Sequence, residues 1–232
     1  MSDVVRAVVT GLGDVPAAVA SLGLAPRPVL VVVGGAAGLD DDLATLFTTL
    51  IAPAVNRHGA IAVDGGTDAG VMRLLGRARA AGPPFPLVGV AARGTVTFPG
   101  HANGNPDAAP LDRHHSHFVL TPGDTWGDEA PYLAAVATTL AGPHPSATVL
   151  VNGGDIALTD TEHSLAHHRP VLVLSGTGRY ADRIAAASTH PASCRDNRLA
   201  ALAASPLVRV VDAHNRTSVA RQLDELLVAN PA

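Results

Sequence analysis

Four short stretches of this 232-residue chain have a composition suited to holding an anion. They are Gly34-Gly35-Ala36-Ala37-Gly38, Gly65-Gly66-Thr67, Asn152-Gly153-Gly154-Asp155 and Ser175-Gly176-Thr177-Gly178-Arg179. Each follows an apolar run and precedes a helical pattern. A glycine turn at a helix start bares backbone N–H groups, and the helix dipole adds positive potential there, so phosphate is the natural occupant. Each stretch taken singly also reads as a plain tight connection. Four on one sheet edge can converge on one ligand. Arg179 ends the last stretch, where it can clamp a phosphate or pair with Asp182 or Asp155 at the surface. Asp64 precedes the second stretch and faces the same edge, where it can bind a hydroxyl, assist bond breaking or cap its turn.

Other groups narrow the chemistry. In Arg113-His114-His115-Ser116-His117-Phe118, the imidazoles of His115 and His117 fit hydrogen bonding to a ligand, or lining the strand entry, better than a metal site, because no cysteine or nearby glutamate completes one. His163 and His167 have a metal-like i, i+4 spacing but no third ligand, and read as a solvated face. Cys194, the single cysteine, is a free thiol. No metal and no resident cofactor are expected. All 16 basic residues are arginine, which excludes a Walker-type phosphate loop and Schiff-base chemistry. GGxxG at the first turn departs from GxGxxG, which disfavours a standard dehydrogenase. A net charge of −4 with scattered basic residues argues against a nucleic-acid surface.

These residues need strands and helices to position them. Apolar, β-branched runs recur at 4–11, 29–35, 60–66, 87–94, 117–123, 148–154, 171–178 and 207–213. Continuous rather than alternating apolarity indicates strands covered on both faces, as in a parallel sheet. Helical patterns lie between them. In 67–81, Val71, Leu74, Leu75 and Ala78 share one face and Arg73, Arg77 and Arg79 the other. In 128–141, Asp128 is the expected N-cap, Pro131 sits in the first turn, and Gly142-Pro143 stops the helix. The fold class expected is α/β: a Rossmann-like, doubly wound, mostly parallel sheet with helices on both faces. Residues 94–114 read as a long surface loop, either a lid or a plain crossover, and 187–206 as a region with a short connecting helix. One domain over 1–232 is expected. With 47% hydrophobic and 16% charged residues, no membrane-length apolar run and no convincing targeting segment, a cytoplasmic protein is the default, and a homo-oligomer is plausible.

Taken together, GGAAG, VDGGTDAGVMRLLGRA, PLVGVA, HSHFVL, WGDEAPYL, VLVNGGDIALTD and RPVLVLSGTGRYAD resemble, in that order, the LSDAT group of the SLOG superfamily. The resemblance covers about residues 28 to 185. That group includes a cytosolic N-terminal region of the melastatin-type TRP channels, and this chain looks like its free-standing prokaryotic version. The resemblance implies a Rossmann-like fold that binds a nucleotide-derived molecule, with ADP-ribose and NAD-like compounds the leading candidates. It also implies distant kinship to the Lonely Guy phosphoribohydrolases, whose PGGxGTxxE signature falls here on Asn152-Gly153-Gly154-Asp155-Ile156-Ala157-Leu158-Thr159-Asp160. Asn152 replaces the proline, Ile156-Ala157 replaces Gly-Thr, and Asp160 replaces the glutamate, with Glu162 two positions on. By that resemblance Asp160 and Glu162 are the candidate catalytic carboxylates. N-glycosidic cleavage would need such a carboxylate, or Asp64, with a donor such as His115 or His117. Three functions follow: a sensor of a nucleotide-derived ligand, a hydrolase of its N-glycosidic bond, or an interaction module with a degenerate pocket.

Overall fold

The computed structural model describes residues 4–35, 41–101 and 103–228. Eight strands form one sheet: β1 (Val5–Val8), β2 (Val29–Gly34), β3 (Ile61–Asp64), β4 (Leu87–Ala92), β7 (His117–Thr121), β8 (Ser146–Val151), β9 (Val171–Ser175) and β10 (Val208–Asp212). They coincide with the eight apolar runs. Their spatial order is β1-β7-β4-β3-β2-β8-β9-β10, and every pair is parallel.

The pleat explains the uninterrupted apolar runs. Val29, Val31 and Val33 pack into one core, Leu30 and Val32 into another on the opposite face, and each side chain so buried stabilises by roughly 1.5–3 kcal/mol. One face carries α1 (Val15–Ser21), α5 (Ala130–Ala141), α6 (Asp155–Ala166), α7 (Arg179–Thr189) and α8 (Asn197–Ala203). The other carries α2 (Asp41–Leu46), a π-helical turn over Phe47–Ile51, α3 (Ala52–Arg57), α4 (Gly70–Ala81) and α9 (Arg216–Leu227).

The order matters for the site. From β2 the chain winds outward through β3 and β4, whereas β8, β9 and β10 wind the other way. Right-handed crossovers in opposite directions place their helices on opposite faces, so the connections part between β2 and β8 and leave a crevice at the strands' carboxyl ends.

Two helix starts differ from the sequence expectation. Before α4, Thr67 bridges to Leu111 and the Asp68 N–H donates to the Pro110 carbonyl (2.8 Å), so the helix begins only at Gly70. Before α5, Asp128 does not cap the helix. Its Oδ2 accepts the N–H groups of Asp124 and Thr125 (3.1 and 3.0 Å), bracing the loop, and Glu129 occupies the cap position. The excursion after β4 contains a short parallel pair, β5 (Val96–Thr97) and β6 (Ala109–Pro110), that packs onto the β3–α4 turn. Region 187–206 does contain a short helix, α8, capped by Asp196.

Candidate functional site

At the switch point lies a cavity of about 550 Å³. Gly34 and Gly35 after β2, Gly65 and Thr67 after β3, and Gly154 and Asp155 after β8 contribute to its wall, and Arg179 reaches it from α7. Gly34 has no alternative residue: a Cβ there would stand 2.2 Å from the Val151 carbonyl oxygen and 2.7 Å from Val71. Gly38 and its neighbours Ala36 and Ala37 lie outside the described residues.

The turns are not equivalent. In the fourth, the N–H groups of Gly176 and Gly178 donate to Asp182 (2.6 and 3.1 Å), and those of Tyr180 and Ala181 donate to the carbonyls of Gly153 and Asn152. Thr177 is buried, its hydroxyl accepting the Asn152 N–H (2.7 Å) while its carbonyl accepts the Asn152 amide (2.8 Å). Asn152 holds a left-handed backbone (φ 59°) and accepts the Gly153 N–H on its own side chain. Asn152, Gly153, Thr177 and Gly178 therefore join two turns together, and Gly176 and Thr177 face a smaller neighbouring pocket of about 180 Å³.

The start of α6 is different. No side chain caps it, so its first N–H groups are the orphan donors of a helix N-terminus. The Arg179 guanidinium lies against Gly154, where a Cβ would be 2.9 Å from it. Arg179 has no ion-pair or hydrogen-bond partner among the described residues. Asp182 is turned to the glycine N–H groups, and Asp155 accepts the Tyr180 hydroxyl.

The cavity's inner wall is acidic. Asp160 is 8% exposed and Glu129 7% exposed, and both line it. Asp160 Oδ1 has no hydrogen-bond partner. Burial first, and then the Glu129 charge, push the Asp160 carboxyl up to about 8. Burial also raises Glu129, whose Oε2 accepts the Gly127 N–H (3.0 Å). Trp126, Ile156 and Arg179 are more exposed and form the mouth. Glu129 and Trp126 were not singled out from the sequence; the WGDEAPYL block contains both, but Asp128-Glu129 before a proline reads as helix capping.

Four other acid or imidazole candidates, and Ser116, lie elsewhere. Glu162, 200° around α6 from Asp160 at about 100° per residue, points away and pairs with Arg198 at the surface. Ser116 and His117 sit at the start of β7, the sheet's amino edge. The Ser116 hydroxyl bonds both backbone groups of Leu87, and His117 Nδ1 bonds that hydroxyl (2.8 Å). Asp64 and His115 have no exposed side-chain surface. Asp64 Oδ1 accepts the Gly66 N–H (2.7 Å) and His115 Nε2–H (2.8 Å), and His115 Nδ1–H donates to Asp112 (3.2 Å). Burial alone would lower the His115 pKa, but Asp64 and Asp112 overcome it and raise it to about 9. The imidazolium thus ties the β3–α4 turn to the excursion beneath it.

A family model described as SLOG in TRPM, prokaryote, matches residues 27–221, from just before β2 to within α9. The chain belongs to this LSDAT family. Membership accords with the parallel sheet and with a nucleotide-related or glycosidase-like domain. No helix among the described residues of this LSDAT protein is long and apolar enough to cross a membrane, and no group of three or more His, Cys, Asp or Glu among them could hold a metal ion.

Proposed function

We propose that the switch-point cavity binds a nucleotide-derived small molecule of the ADP-ribose or NAD class, as a ligand sensor. The observation that carries this is Arg179: an unpaired guanidinium over Gly154, at the uncapped start of α6 and at the cavity mouth. A phosphate there gains charge-assisted bonds from the arginine and backbone N–H donors from the helix. The apolar wall formed by Val32, Val33 and Leu133 suits the rest of a nucleotide. Calorimetry with ADP-ribose, NAD, cyclic ADP-ribose and AMP tests the reading. Arg179→Ala is expected to weaken binding about 10- to 100-fold; no binding by the intact protein, or an unchanged Arg179→Ala affinity, rejects it.

A second reading, hydrolysis of the ligand's N-glycosidic bond, is favoured by one observation. Asp160, a carboxyl raised to about 8, lines the cavity beside a second acid, the arrangement that general acid catalysis with a stabilising carboxylate requires. Chromatography of a nucleotide panel after long incubation distinguishes the two, since a sensor returns its ligands unchanged.

A further inference from the structure

The acid pair is unexplained by phosphate binding. Two carboxyls, each more than nine-tenths buried, line the cavity, and the Asp160 side chain has no hydrogen-bond partner among the described residues. Burying an ionisable group without a partner is unfavourable, so an unpartnered Asp160 beside a second buried acid suits an occupant that binds them. The charged groups around the pair are few. The β7–α5 loop brings Asp128, a further acid. Beyond the pair itself, α6 brings Asp155 and α7 brings Arg179, both at the mouth. The β2 and α4 walls bring only Val32, Val33, glycines and Met72. No basic side chain among the described residues hydrogen-bonds or ion-pairs with Glu129 or Asp160.

A pair of carboxyls in apolar surroundings favours a positive charge. Trp126, the only tryptophan of the chain, lines the same cavity, and the indole face is the best aromatic partner for a cation. A flat organic cation meets both features and brings little hydration to remove, whereas a hydrated magnesium ion fits poorly against Val32, Val33 and Leu133. Arg179 and Trp126 both line the mouth of this cavity and Glu129 and Asp160 are its buried acids, so one cavity carries an anion-binding group together with groups suited to a cation.

We propose that Glu129, Asp160 and Trp126 form a cation subsite, and that the ligand is a nucleotide whose N-glycosyl ring is positively charged, of the pyridinium type. This rests on the phosphate-binding reading above and names its ligand class. Binding of the cation releases a proton from the pair, so affinity for it rises with pH up to the region where the acids ionise unaided, by at most about tenfold per unit.

Oxidised and reduced NAD form a matched probe, because they share phosphates and riboses and differ in the ring charge. Titration calorimetry of the intact protein, in two buffers of different ionisation enthalpy at neutral pH, is expected to show NAD+ binding about tenfold or more tightly than NADH. Between about half and one proton should be released with NAD+ alone. Glu129→Gln and Asp160→Asn, each checked for a cooperative melt, should bring the two affinities together. Equal affinities without proton release, while ADP-ribose still binds, would overturn the cation subsite and leave the phosphate reading standing. A preference abolished by EDTA would overturn it in favour of a divalent metal, and failure of all three nucleotides to bind would overturn both.

Discussion

Replacing Asp160 with asparagine should stabilise the ligand-free protein, and by an amount that depends on pH. The side chain is 8% exposed, one of its oxygens is unpartnered, and burial with the nearby Glu129 charge holds its pKa at about 8 against an ordinary 3.8. Between those values the unfolded chain has released the proton and the native chain keeps it. Unfolding is therefore increasingly favoured as pH rises, at about 1.4 kcal/mol per unit, and the loss ends above the folded pKa. An amide of nearly the same shape does not titrate. The stability gap between Asp160→Asn and the parent should be small near pH 4 and widen by roughly 3 kcal/mol between pH 5 and pH 7. Urea unfolding of both proteins at intervals across that range, with equal slopes against denaturant confirming the same unfolded state, measures it directly. A gap that stays constant from pH 5 to 7 would refute the reasoning, because it would mean that Asp160 is ionised in the folded protein as it is in the unfolded one.

Other outcomes follow from the same structure. His115→Gln should destabilise by roughly 3 kcal/mol at pH 6, the worth of a pKa raised from 6.5 to about 9; the deficit should shrink as pH rises through 9, as seen by chemical denaturation. Gly34→Ala, whose Cβ would meet the Val151 carbonyl at 2.2 Å, should lower stability by about 1–3 kcal/mol or more and show a reduced melting temperature. Glu162→Gln removes a half-exposed pair with Arg198, so stability should change by less than about 1 kcal/mol and calorimetric ligand affinity should stay the same. Because Trp126 is the only tryptophan and lines the cavity mouth, ligand binding should change the protein's intrinsic emission, and a saturating ligand that leaves the spectrum unchanged would place it elsewhere.

The architecture was legible because hydrophobic burial is written residue by residue. Runs such as VLVVV at 29–33 can be satisfied only by strands covered on both faces, and the arginine face of 67–81 only by a surface helix. The glycine turns were legible for a related reason: Gly34 has no room for a side chain, and a sequence shows where a side chain is missing. What each turn does with its N–H groups was not legible, since Asp182 could as well have paired with Arg179 as with Gly176 and Gly178, and the choice depends on geometry over a few ångströms. The same holds for the acids. In sequence Asp64, Glu129, Asp160 and Glu162 are four carboxyls near turns. The fold gives Asp64 a buried histidine, turns Glu162 to an exposed arginine, and leaves Glu129 and Asp160 together in a cavity. Periodicity and composition thus determined the sheet, its helices and the edge that carries the glycine turns. Only the tertiary structure decided which groups line the cavity at that edge, because burial and the distance between residues far apart in the chain set a carboxyl's charge and partners.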